Sequence, residues 1–126
     1  MDDDIRVLVV DEDRDVLELT ETFLERESAT LTVLTEQSAS DAVDRIFDED
    51  IDCVVSDYRM PGMDGLELFE AVRDRTGDLP FFLLTAAADE ETVERAESAG
   101  VTGFIEKGAG TDHYTDLANR IVDVVE

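Results

Sequence analysis

The chain has a single lysine, a single cysteine, a single histidine, two prolines and no tryptophan among 126 residues. With Cys53 alone there is no disulfide framework and no cysteine-based zinc site. No apolar run approaches the ~20 residues that a membrane-spanning helix requires. The opening residues Met1, Asp2, Asp3 and Asp4 are the opposite of a basic secretory n-region. No linker, internal repeat or low-complexity tract interrupts the pattern. Basic residues number 10 against 34 acidic ones, a formal net charge of -24. Such a surface repels the phosphates of nucleic acid and anionic membranes alike, so neither is expected as a direct partner. What is present is a 43% hydrophobic fraction, enough for a core and too much for a disordered acidic tail. These limits lead to the expectation of one cytoplasmic domain over residues 1–126 with no output domain.

The acid excess suits molar salt. At about 1 M the Debye length is only ~3 Å, so distant like charges hardly sense one another. In dilute buffer the same charges repel and oppose compaction. Nine of the ten basic residues are arginine, and this scarcity of lysine fits the same setting. A halophilic source, and within that an archaeal one, is expected.

Apolar runs alternate with amphipathic stretches along the whole chain. Residues 5–10 are a β-branched run and predict a strand. Residues 13–25 carry Val16, Leu17, Leu19, Phe23 and Leu24 at helical spacing. A second strand is predicted over 30–35. A helix over 38–47 follows, with Ser38 as N-cap and Asp41 placed as in a capping box. Residues 52–56 predict a third strand, and Pro61, Gly62 and Gly65 mark a loop. A helix over 66–73 is followed by the punctuation of Gly77 and Pro80. The run 81–84 is the most apolar in the chain and predicts a fourth strand. A helix over 89–99 stops at Gly100, and 102–105 predicts a fifth strand. Thr111 or Asp112 caps a last helix running to Val125. Five strands and five helices in strict alternation predict an α/β fold, a doubly wound parallel sheet covered on both faces.

In such a sheet, ligands bind beyond the carboxyl ends of the strands, near the switch in strand order. At those positions strand one delivers Asp11, Glu12 and Asp13, strand three Asp57, strand four Thr85 and strand five Lys107. Strand two delivers Thr35 and Glu36, to which the pattern assigns no role. Three or more carboxylates in one pocket do not all stay ionised unaided. A hard divalent cation such as Mg2+ or Mn2+ relieves them through oxygen ligands. A cation, a hydroxyl from Thr85 and an ammonium from Lys107 are the parts that stabilise a phosphoryl group in transfer. A carboxylate there can itself be the nucleophile. Singly, each residue has a plainer reading as a helix cap or a solvated charge. Together, at the ends of four strands, they favour a site. The plainer reading is kept for Cys53, a small buried hydrophobe, and for His113, a solvated residue at a helix start. Ala86, Ala87 and Ala88 leave room for solvent or a small donor, or reflect helix propensity alone.

These residues resemble the receiver domain of two-component response regulators, along the whole chain. Val9, Val10, Asp11, Glu12 and Asp13 look like the acidic motif after strand one. The segment from Ser56 and Asp57 through Tyr58, Arg59, Met60, Pro61 and Gly62 to Met63, Asp64 and Gly65 looks like the phosphoacceptor loop. Leu83, Leu84, Thr85 and Ala86 look like the switch hydroxyl motif, and Phe104, Ile105, Glu106 and Lys107 like the strand-five motif. The resemblance implies a flavodoxin-like sheet of order 2-1-3-4-5. It implies that Asp57 accepts a phosphoryl group from a histidine kinase or phosphotransfer protein. Glu12 or Asp11, with Asp57 and the backbone carbonyl of Arg59, would hold Mg2+ or Mn2+. Thr85 would hydrogen-bond the phosphoryl group, Lys107 would pair with it, and Phe104 would change rotamer as Thr85 moves. That is a two-state switch biased by a local charge change. The domain would phosphorylate and dephosphorylate itself, without being a turnover enzyme.

Two departures stand out. Gly108, followed by Ala109 and Gly110, replaces the usual proline after the lysine, and Glu12 stands where the family often has Asp. Two other functions compete. One is a haloacid-dehalogenase-type metal-dependent phosphatase using Asp11 with Asp13, although Asp15 and the lack of late paired acids depart from its motif. The other is a receiver-like binding module that works without phosphorylation.

Overall fold

Five runs rich in Val, Ile, Leu and Phe form the strands: β1 (Ile5–Val10), β2 (Leu31–Glu36), β3 (Cys53–Asp57), β4 (Phe81–Thr85) and β5 (Gly103–Glu106). Five helices alternate with them: α1 (Arg14–Glu27), α2 (Ala39–Asp48), α3 (Gly65–Thr76), α4 (Glu90–Ala99) and α5 (Asp112–Val125). The computed structural model describes residues 4–86, 89–107 and 112–125. Ala87, Ala88, Gly108, Ala109, Gly110 and Thr111 lie outside them. All strand pairs are parallel, in the order β2-β1-β3-β4-β5, as the alternation and the resemblance led one to expect.

The three inner strands β1, β3 and β4 are apolar on both faces because each face is covered. Val7, Val9, Val55, Phe82 and Ile105 meet Leu17 and Leu24 of α1 and Leu117 and Ile121 of α5. Leu8, Val10, Val54, Phe81 and Leu83 meet Ala42 and Ile46 of α2, Leu68 and Val72 of α3, and Ala96 of α4. Burial on both sides removes the polar alternation of a half-exposed sheet. Cys53 lies in the central strand and is fully buried, as expected.

Helices α1 to α4 start on acid or hydroxyl caps, which satisfy amides that have no partner within the helix. Asp13 caps α1 by accepting from the amides of Asp15 and Val16. Ser38 accepts from Asp41 N at 3.4 Å, which is the first half of the expected capping box. The complete box lies at α3, where Asp64 accepts from Glu67 N at 2.8 Å and Glu67 accepts from Asp64 N at 2.9 Å. This box makes α3 begin at Gly65, inside the expected loop, and the helix continues past 73 to Thr76. Leu19, expected on the buried stripe of α1, is instead 47% exposed. Its neighbours Leu17 and Thr20 take the inward face.

The strand registers align one edge of the sheet. Val10 pairs with Ser56, Asp57 with Leu84, and Thr85 with Glu106. The residues that close these strands therefore emerge side by side. Glu36, to which the sequence assigned no role, is structural: Arg45 reaches it at 2.8 Å and Glu49 at 3.0 Å, and Glu49 also meets Arg6 at 2.9 Å.

Candidate functional site

Asp11 follows β1, Asp57 ends β3, Thr85 ends β4 and Lys107 follows β5. By the alternation of side chains, Asp11, Asp57 and Lys107 continue the series of Val9, Val55 and Ile105 on the α1/α5 face. The ammonium of Lys107 lies 3.2 Å from Asp57 Oδ1 and 3.5 Å from Asp11 Oδ2. One cation thus bridges two carboxylates from adjacent strands. The Asp11 side chain is 5% exposed, that of Asp57 16% and that of Lys107 25%, so the contact is only partly screened by solvent.

The charge of this cluster is not fully met. Burial pushes the Asp57 carboxyl above its ordinary pKa; Lys107 pulls it down, and the Asp11 carboxylate pushes it up again. The other oxygen of Asp11, Oδ1, accepts from Asp13 N at 2.9 Å. The donor set facing the cluster is oxygen, which suits a hard divalent cation. Among the described residues no three acids, histidines or cysteines are gathered into a cage for a metal ion. Two carboxylates, with further oxygen from backbone and water, are nevertheless what Mg2+ commonly takes.

The remaining expected residues take several positions. Thr85 is buried, and its carbonyl accepts from Lys107 N at 2.7 Å, fastening the end of β5 to β4. Phe104 is half-buried and packs with the core on the α2/α3/α4 side of the sheet. Glu12 is exposed, and its carbonyl accepts from Gln37 Nε2 at 3.3 Å. Asp13 is engaged as the cap of α1, so the paired acids of the phosphatase reading do not both face Lys107. Arg59 is exposed and lines an open cavity with Asp89, the N-cap of α4.

Gly65 makes the loop after β3 possible. A Cβ there would stand 2.6 Å from the carbonyl of Asp57 and 2.7 Å from Leu83 Cδ2. The amide of Gly65 donates to Tyr58 O at 2.9 Å, closing the loop back on the end of β3.

The reading of His113 as a solvated helix-end residue is corrected. Its ring lies 4.0 Å from that of Tyr114, which stacks on Phe23 of α1 at 5.3 Å. Its Nδ1 is buried without a hydrogen-bond partner among the described residues. Burial, and secondarily the charge of Lys107, hold its pKa below the ordinary value.

A sequence profile of the response regulator receiver domain matches residues 7–119. The chain belongs to that family. The receiver is 35% identical over 114 residues to the C4-dicarboxylate transport transcriptional regulatory protein DctD of Rhizobium meliloti, covering 90% of this chain and 24% of that one. It is 38% identical over 80 residues to the bacterioopsin transcriptional activator of Halobacterium salinarum, covering 64% of this chain and 12% of that one. The receiver therefore spans a quarter or less of the length of these curated relatives. Among solved structures, the chemotaxis protein CheY4 of Vibrio cholerae superposes with a TM-score of 0.84 at 24% identity, over 94% of this chain and 98% of that one, which shows the shared fold. A receiver domain protein from Clostridium thermocellum gives 0.83 at 25% identity, over 96% and 94%. No helix among the described residues is long and apolar enough to cross a membrane.

Proposed function

We propose that this receiver accepts a phosphoryl group on Asp57 from a histidine kinase or phosphotransfer protein in the cytoplasm. The observation that carries the reading is the ammonium of Lys107 held 3.2 Å from Asp57 Oδ1 while also facing Asp11. In the transfer, the P–N bond of the donor phosphohistidine breaks and a P–O bond to an Asp57 oxygen forms. The leaving imidazole keeps the electron pair and takes a proton from solvent. Lys107 then pairs with a phosphoryl oxygen, and the hydroxyl of Thr85 hydrogen-bonds another. Phe104, on the opposite face of the sheet from Lys107, carries the change to the surface around β5 and α4.

Asp11, Asp57 and the Arg59 carbonyl would hold Mg2+ or Mn2+, with Glu12 as the alternative carboxylate at the rim. Bound there, the cation supplies charge neutralisation for the phosphoryl oxygens. The phosphatase reading is the weaker one, since Asp13 is committed to its helix cap. Adaptation to molar salt is also part of the proposal. It is supported by the charge of -24, by the near absence of lysine, and by the likeness to a Halobacterium salinarum protein.

The test is incubation with Mg2+ and a phosphoramidate or acyl phosphate in molar KCl, followed by intact mass and peptide mapping. One metal-dependent phosphoryl group on Asp57, lost in Asp57→Asn, is expected. Label on Asp11 would favour the phosphatase, and no label would favour a binding module.

A further inference from the structure

We propose that Glu25 and Arg45 close the outer edge of β2 against pairing with a second copy of this chain. The inference stands on the free structure and does not rest on the reading of Asp57 as acceptor.

The sheet ends on β2 at one side and on β5 at the other. β5 has four residues, one of them Gly103, and so short an edge offers little to a partner. β2 has six residues. The segment 28–35 that contains most of it carries no charge, in a chain of which 35% is charged. Leu31, Thr32, Val33, Leu34 and Thr35 form an uncharged run rich in β-branched residues, the composition that pairs readily with another edge.

The direction of each backbone group on β2 follows from its bonds. The amides of Ile5 and Asp11 donate to Thr30 O at 2.7 Å and to Glu36 O at 3.1 Å. Successive residues of a strand turn their N–H and C=O groups to opposite sides, so the even-numbered residues of β2 face β1. Leu31, Val33 and Thr35 therefore face outward. On that outer side, Glu25 of α1 accepts from Val33 N at 2.9 Å. Arg45 of α2 donates from Nη1 to Thr35 O at 3.3 Å. Glu36 at 2.8 Å and Glu49 at 3.0 Å hold the guanidinium in place. Leu31 N is turned back to Ser28 O at 3.2 Å. The two helices cover opposite faces of the sheet, so the edge is gripped from both sides. An incoming strand has to displace a carboxylate from the donor at 33 and a guanidinium from the acceptor at 35.

Salt makes such a guard necessary. In dilute buffer, copies that each carry a charge of -24 repel one another before their edges meet. At about 1 M salt that repulsion reaches only ~3 Å. The hydrogen bonds of Glu25 and Arg45 act at contact distance, with no ions between the partners. The occupant they exclude is another copy, because two identical edges laid antiparallel are related by a two-fold axis and complete each other.

Sedimentation velocity of the full chain at about 0.1 M and about 3 M KCl tests this. Glu25→Ala bares the Val33 amide and places a good helix former in α1. Its self-association at the higher salt is expected to exceed that of the unmutated chain by about ten- to a hundredfold, the worth of one charge-assisted hydrogen bond. The excess should shrink at the lower salt. Arg45→Ala should act in the same direction. Glu27→Ala removes the same charge from an exposed position of the same helix and should change nothing. Amide hydrogen exchange locates the contact: in Glu25→Ala, exchange at Val33 and Thr35 should slow as protein concentration rises. Adding Thr35→Pro to Glu25→Ala removes an outward N–H and should return association to that of the unmutated chain. No gain for Glu25→Ala, an equal gain for Glu27→Ala, or a gain without protection at 33 and 35 would each overturn the proposal. So would association that sets in only with loss of the helical circular dichroism, since the pairing is between folded copies.

Discussion

Asp57 Oδ1 and Lys107 Nζ stand 3.2 Å apart although fifty positions separate them in sequence. The contact joins the end of β3 to the end of β5 across the intervening strand β4. It also fixes where a phosphoryl group on Asp57 would find its counter-charge.

Lys107→Ala leaves Asp57 and Asp11 facing each other with no cation between them. The Asp57 carboxyl is expected to move further up, because the strongest influence lowering it is gone. Response to phosphorylation should weaken more than Mg2+ affinity. Carboxyl NMR titration and Mg2+ titration of the same variant check this, and equal losses would contradict the role given to Lys107.

His113 makes stability depend on pH near neutrality. Its folded pKa lies below the ordinary 6.5, so the unfolded chain binds a proton that the folded chain refuses. The folded state therefore loses stability as pH falls through the unfolded value. Denaturant unfolding between about pH 7.5 and about pH 5.5 should show a smaller loss for His113→Gln than for the unmutated chain. Asp57 acts with the opposite sign. Its raised folded pKa means that the penalty of holding it ionised disappears at more acidic pH.

Gly65→Ala forces a methyl against the Asp57 carbonyl and Leu83. Overpacking of this kind costs about 1–3 kcal/mol. Because the carbonyl belongs to Asp57, the proposed acceptor, phosphorylation by a small donor should slow as well. A variant of unchanged stability and rate would show that the loop yields easily.

Salt should raise the melting temperature between about 0.1 M and about 3 M KCl, as self-repulsion is screened. Contacts of arginine with aromatic faces are set to persist there. Arg75 lies 4.1 Å from the centre of the Phe47 ring, and Arg26 and Arg73 lie 5.5 Å from Phe23 and Phe69. Arg75→Lys is expected to lose about 0.5–1 kcal/mol at high salt, measured by denaturant unfolding. A melting temperature that is flat or falls with KCl would remove the salt-adaptation reading.

The parallel strands were legible because buried parallel strands leave continuous apolar runs, whereas their order, and with it the meeting of Asp11, Asp57 and Lys107, was implied by the resemblance to receiver domains. The residue that ends such a run has only one edge to occupy. Element ends were less legible: Asp64 and Glu67 start α3 through a reciprocal cap that a loop signal from Pro61, Gly62 and Gly65 obscures. Leu19 fits the helical spacing yet faces outward, because Leu17, Thr20 and Leu24 take the inward face of α1.

Cys53 carries the chain's only thiol, at the middle of the sheet and with no exposed surface. Burial, helped by the nearby Asp52 charge, drives its pKa far above the usual thiol range, so the nucleophilic thiolate is absent in the folded molecule. Alkylation at this atom must wait until β3 separates from its neighbours on both sides. The labelling rate is thus a clock for opening of the central sheet, carried by the protein itself and needing no introduced probe.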